Sequence, residues 1–155
     1  MRIRDKIKKP QRPVVAYEIL PPREEDGTLN SYAETISSLL SQTHIDAINI
    51  PEVHDEVGRG DRPVANQKRG EPREFGMLLQ DIVGIEAIIN RVVVHEPYDK
   101  QMQWFEETNT KFEIENMIIV GGESSKVSYP GPSVNEILEA ITNKHNQNGG
   151  NIFCG

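Results

Sequence analysis

Val14-Val15-Ala16-Tyr17-Glu18-Ile19-Leu20-Pro21-Pro22 is the stretch that decides the fold. Its first seven residues are β-branched or apolar except at Glu18, and two prolines follow. Proline has no N–H to donate to a sheet ladder, so a strand is expected over 14–20 that stops at Pro21. Downstream the pattern changes to a helical one. Ser31 and Glu34 read as a capping box, with Tyr32, Ile36, Leu39 and Leu40 on one face of a helix over 31–42. Residues 47–50 form a second short strand, ended by Pro51. Phe75, Leu78, Leu79 and Ile82 mark a second helix, and Gly84 is its C-terminal stop. Residues 85–94 read as a third strand, apolar enough to be buried on both faces. Residues 99–108 have Met102 and Phe105 at helical spacing, and 117–120 form a fourth strand closed by Gly121 and Gly122. Ser133 with Glu136 opens a last helix, and 151–154 begin a fifth strand.

The order is therefore strand and helix in strict alternation. Apolar strands separated by amphipathic helices predict a parallel sheet with right-handed crossovers. Two α/β architectures fit: an open doubly wound sheet, or part of a (β/α)8 TIM barrel with about four and a half units present. No strand is followed by GxGxxG or GxxxxGK[ST], which weakens the nucleotide-binding open sheet.

Whole-chain properties narrow the function. A chain of 155 residues accommodates one domain with a real core. Residues 1–13 read as a basic N-terminal tail, carrying Arg2, Arg4, Lys6, Lys8, Lys9 and Arg12, and 14–155 as the folded unit. The formal charge of -7 argues against a nucleic-acid partner, which needs a positive field. No apolar stretch has the length of a membrane span, and the charged start is unlike a signal peptide. The single cysteine, Cys154, suits a reducing compartment, so a cytoplasmic location is expected. Residues 52–71 lack apolar periodicity and hold nine charged residues, forming a loop long enough to be functional or disordered.

In parallel α/β folds the functional groups gather at the carboxyl ends of the strands. Those ends carry Glu18, then Asn49 with Glu52, then Asn90 to Glu96, then Glu123 after the glycines. Glu18 alternates with Ala16 and Leu20 and is expected to face a packed, dry side. Desolvation without a cation favours the neutral carboxyl, a state suited to a general acid; an ion-paired scaffold glutamate is the alternative. Glu123 follows a glycine pair whose backbone can form an anion-binding nest, or is a solvated turn residue. His54 and His95 lack metal-ligand spacing and read as loop histidines, and Cys154 as a small apolar strand residue.

Several of these segments resemble one family. Tyr17-Glu18-Ile19-Leu20-Pro21-Pro22-Arg23 resembles the first-strand motif of methylenetetrahydrofolate reductases. Asp46-Ala47-Ile48-Asn49-Ile50-Pro51-Glu52 is similar to the second strand of a divergent branch of that family. Gly84-Ile85-Glu86-Ala87 is similar to its lead-in to strand three, and Ile118-Ile119-Val120-Gly121-Gly122-Glu123 to its strand-four motif. The resemblance spans about Val14 to Gly155, roughly half of a catalytic barrel that needs about 250 residues.

It implies a cytoplasmic oxidoreductase of one-carbon metabolism and methionine biosynthesis, binding FAD and reducing a methylene-pterin to a methyl-pterin with NAD(P)H. Glu18 matches the general acid, and Glu123 matches an Asp near the flavin and the pterin, with Glu52 also close to the substrate. Asn49, Pro51, Asn90, Gly121 and Gly122 fall on the cofactor-binding stretch. Several flavin contacts are replaced there: a Thr by Pro51, a His by Asn90, and an Arg or Thr by Gly121. The missing strands would come from a longer chain, a homo-oligomer or another polypeptide, and the chain alone is expected to be inactive. A non-catalytic half-barrel that binds or assembles is the alternative.

Overall fold

A computed structural model describes residues 2–53, 68–122, 126–148 and 152–155. Its centre is a five-stranded sheet in the order β1-β2-β3-β4-β5, with every pairing parallel. The strands are β1 (Ala16–Glu18), β2 (Ala47–Pro51), β3 (Glu86–Val92), β4 (Asn116–Val120) and β5 (Phe153–Cys154). Helices α2 (Leu29–Leu40), α3 (Pro72–Val83), α4 (Tyr98–Thr110) and α5 (Val134–Asn148) fill the connections, and α1 (Ile3–Lys8) precedes β1. Neighbours in sequence are neighbours in the sheet. There is no reversal of strand order, which an open doubly wound sheet requires.

The register sorts the side chains. Ile48 pairs with Ala87 and Ile89 with Met117, so these residues share one face of the sheet. Ile48, Ile50, Ala87 and Ile89 are completely buried against Ala33 and Leu40 of α2 and Phe75 and Leu79 of α3. Met117 and Ile119 pack with Phe105 of α4 and Ile137 and Ile141 of α5. All four helices therefore cover the same face. The other face presents Glu18, Asn49, Ile88, Asn90 and Ile118, and Ile118 is 37% exposed.

β3 was expected to be buried on both sides. Instead its burial alternates strictly along the strand, because only one face meets helices. The ladder is also shorter than expected at its start, where β1 keeps three paired residues.

Local signals account for most helix ends. Gly84 sits at φ +70°, the left-handed conformation that closes α3, and its N–H donates to the Gln80 carbonyl. Ser133 and Glu136 exchange hydrogen bonds at the start of α5, which holds the Glu136 carboxyl below its ordinary pKa. α2 begins earlier than Ser31. Its cap is Thr28, whose hydroxyl accepts from the Ser31 N–H. Of the expected face, Tyr32, Ile36 and Leu40 pack on the core beside Ala33, while Leu39 is 60% exposed.

The basic N-terminal residues are part of the fold rather than a loose tail. α1 lies across the amino ends of the strands, with Ile3 1% exposed. The Ile3 N–H donates to Glu86, Arg2 pairs with Glu115, and Lys6 reaches Asp46 at 2.9 Å. Arg12 adds two hydrogen bonds to Asp46, at 2.7 and 2.9 Å. Acidic residues at the starts of β2, β3 and β4 give a cationic helix its docking site. Among the described residues, no helix is long and apolar enough to cross a membrane.

Candidate functional site

Glu18 is the last residue of β1 and pairs in register with Asn49 of β2. That pairing puts both side chains on the helix-free face, and Asn49 Nδ2 donates to Glu18 Oε2 at 3.0 Å. Water reaches the Glu18 side chain, since all of β1 is exposed. This overturns the expectation of a dry carboxyl within β1. Its cause is the helix-free face itself: alternation put Glu18 on a side of the sheet that no described helix covers.

Asn49 and Asn90 bring the other unusual feature. The Oδ1 atoms of both are shut off from water and accept no hydrogen bond. Buried amide oxygens are nearly always paired, because desolvation without a donor costs roughly 1–3 kcal/mol. For Asn49 the amide orientation is dictated by its donation to Glu18, so its oxygen is the atom left over. Asn90 lies on the same face, in register with Pro51 and Ile118. Sequence reading singled out both positions, but the missing partners emerge only from three dimensions.

Glu52 is placed elsewhere. Two residues beyond Ile50, it shares that residue's parity and turns to the helix side. Its Oε1 takes Arg91 Nη1 at 2.7 Å and its Oε2 takes the Val92 N–H at 3.0 Å. Arg91 in turn donates to Gln101 at 2.9 Å and lies over the Trp104 ring at 4.7 Å. Both carboxylate oxygens are thus engaged in joining β2, β3 and α4. The expected contact of Glu52 with substrate is replaced by this buried ion pair. A buried guanidinium on β3 demands a carboxylate, and Arg91 was the residue that the sequence reading missed. An arginine inside an apolar strand run is the signal that would have found it.

At the end of β4 the glycine pair is crowded from one side. A Cβ on Gly122 would lie 2.2 Å from the Tyr129 ring, and the Tyr129 ring meets His95 edge-on at 5.6 Å. A Cβ on Gly131 would lie 2.5 Å from the Val93 and Glu96 carbonyl oxygens, and the Gly131 N–H donates to the Val94 carbonyl at 2.8 Å. The β4–α5 connection is therefore laid over the end of β3. Glu123 and His54 lie outside the described residues, as does most of the 52–71 loop. Its returning end is visible: the Gly70 N–H donates to Pro22 and Arg69 Nη1 to Pro21, over the buried proline pair.

Burial pushes the Cys154 thiol up to about 12, which makes it a poor nucleophile. Among the described residues no group of three His, Cys, Asp or Glu side chains is placed to hold a metal ion. Among the described residues, two clefts open at the amino ends of the strands. One of about 530 Å³ is lined by Arg2, Gln80, Glu86, Asn109, Glu113 and Glu115 at the amino ends. No protein-family model matches the chain, and no curated protein matches it either.

Proposed function

We propose that the chain is half of a (β/α)8 barrel of the methylenetetrahydrofolate reductase type, with Glu18 as proton donor to a methylene-pterin. The observation that carries this reading is the Glu18–Asn49 pair, at the carboxyl ends of adjacent strands and on the helix-free face. In a (β/α)8 barrel that face is the interior, and its carboxyl end is where substrates bind. Sequential strand order with helices on a single side is the arrangement such a barrel requires. Closing it takes strands beyond these five, from further chain, a second copy or another polypeptide. Covering the face would also dry the surroundings of Glu18.

In the proposed step Glu18 protonates N10 as the bridge C–N10 bond breaks, leaving an iminium at N5. The iminium carbon accepts hydride and becomes the methyl group. Asn49 holds the carboxyl through Oε2, leaving Oε1 toward the substrate. Glu123 enters the proposal by resemblance alone. FAD has little support from the described residues. Pro51 has no N–H, Gly121 has no side chain, and Tyr129 fills the space beside Gly122. These residues do not fit a flavin, so the proposed hydride passes from NAD(P)H to the pterin directly. The single cysteine supports a cytoplasmic setting for this chemistry.

The test is NAD(P)H oxidation by the completed protein in the presence of methylenetetrahydrofolate. Glu18→Gln is expected to lower the rate at least about 100-fold, the usual contribution of a positioned acid. A rate unchanged by that substitution overturns the assignment. A second reading, a non-catalytic half-barrel that assembles with another strand-bearing partner, draws on the exposure of β1 at the sheet edge. It expects no turnover with any pterin and a dimer or hetero-complex by sedimentation.

A further inference from the structure

Two glutamates stand at the feet of the connection between β2 and α3, Glu52 just beyond β2 and Glu71 at the N-cap of α3. Each is paired with an arginine: Glu52 takes Arg91 Nη1 at 2.7 Å, and Glu71 takes Arg73 Nε at 2.7 Å. Their second oxygens accept backbone N–H groups, from Val92 at 3.0 Å and from Glu74 at 2.9 Å. Both guanidinium groups lie against one ring, with Arg91 Cζ 4.7 Å and Arg73 Cζ 4.9 Å from the Trp104 centroid. Those separations are within cation–π reach. Phe112 covers Arg73 at 4.8 Å, and Arg73 Nη1, 3.6 Å from Glu107, is buried without a hydrogen bond. Ring contacts therefore fix this guanidinium as much as its polar partners do.

We infer that Trp104 is the joint of a clasp, Glu52–Arg91–Trp104–Arg73–Glu71, that couples the two feet: a change at Glu52 is felt in the first turn of α3, and a change at Glu71 at the end of β3. Two like charges share one ring, and each is neutralised by its own carboxylate. The arginine side chains are only 11% and 14% exposed, so water screens little between them. Losing one carboxylate charge leaves its guanidinium uncompensated, and the added repulsion acts on the other guanidinium beside the ring. The second foot is also bonded to the end of β1, through Gly70 N–H to Pro22 and Arg69 Nη1 to Pro21. The clasp thus ties the carboxyl ends of three neighbouring strands to α3 and α4. It is independent of the chemistry proposed for Glu18.

The experiment follows amide hydrogen exchange by NMR in Glu52→Gln and Glu71→Gln, each read at the opposite foot. Rates are taken relative to the Gly84 N–H, which donates to Gln80 at the far end of α3, so that a uniform loss of stability cancels. In Glu52→Gln the Glu74 N–H is expected to exchange at least about threefold faster relative to Gly84, the scale of coupling within one charged network. In Glu71→Gln the Val92 N–H is expected to respond alike. Both substitutions should also shift the emission of Trp104, the chain's single tryptophan. In a Trp104→Leu background the two cross-effects should vanish. Should Glu52→Gln or Trp104→Leu not fold, Glu71→Gln still decides through the Val92 rate and the Trp104 emission, since the Glu71 side chain is 37% exposed. Unchanged relative exchange at the opposite foot, a cross-effect that survives Trp104→Leu, or emission that ignores either glutamate overturns the inference.

Discussion

Asp46 and Glu18 are carboxylates at opposite ends of the same strand pair, and they live in opposite surroundings. Asp46, just before β2, is buried and takes hydrogen bonds from Lys6, Arg12 and the Val15 N–H. Glu18, at the end of β1, is exposed and receives a single amide N–H from Asn49. The amino end of the sheet is closed by α1 and its ion pairs. The carboxyl end leaves a carboxylate open to water and two amide oxygens without donors. The division matches the one physics imposes on parallel α/β folds, where one rim carries stability and the other carries chemistry. Among the described residues, Asp46 at the first rim has all its hydrogen bonds from the chain itself, whereas Asn49 and Asn90 at the second each keep an oxygen without a donor.

The sharpest way to break this contrast is Glu52→Ala. Glu52 sits at the carboxyl rim yet belongs by its contacts to the stabilising set, paired with Arg91 where both side chains are about one-tenth exposed. Removing it leaves a guanidinium buried without its carboxylate, and a loss of about 3–5 kcal/mol is expected in urea unfolding. A loss below about 1 kcal/mol would return Glu52 to the functional rim. Next in size is Ile3→Ala. A side chain 1% exposed on a docked helix should cost about 2–4 kcal/mol, whereas a solubilising tail would cost almost nothing.

A pH series tests the closed rim directly. Hydrogen bonds from Lys6, the Val15 N–H and Arg12 hold the Asp46 carboxyl well below the usual carboxylate range. Because the folded value is depressed, the stabilisation is complete above the unfolded value near 3.8 and is lost as pH falls through it toward the lower folded one. The urea midpoint should hold down to about pH 4 and fall as the pH drops further, below the unfolded value. Asp46→Asn should drop less over the same range. An identical slope in the two proteins would show that Asp46 adds nothing to acid sensitivity. The smallest stability effect belongs to Glu18→Gln, expected within about 0.5 kcal/mol of wild type because the site is exposed. A loss above about 2 kcal/mol would make Glu18 a scaffold residue, and the contrast with Asp46 would disappear.

Much of the architecture was legible in the residues. Pro51 and Gly84 end β2 and α3 for reasons that are local, a missing N–H or a left-handed turn, whereas β1 stops at Glu18, short of Pro21. The Ser133–Glu136 box is likewise a matter of neighbours three apart. Where local signals were ambiguous the reading slipped, as at α2, where Thr28 rather than Ser31 caps the helix. The site was legible in part. Glu18 and Asn49 were both singled out and are hydrogen-bonded, and Asn90 was flagged as a replaced contact. Glu52 looked equally suitable, since a carboxylate at a strand end carries no mark of which way it turns.

The chain's own order of residues determined the alternation of strands and helices and the parallel sheet. Those features follow from periodicity and from backbone chemistry, which act over a few residues. Only the tertiary structure decided that α1 docks on Asp46, Glu86 and Glu115, that Glu52 belongs to Arg91, and that Glu18 is wet. Burial and charge pairing join residues far apart in the chain. Which face of a sheet is covered depends on where all the helices go at once, and no single segment contains that information.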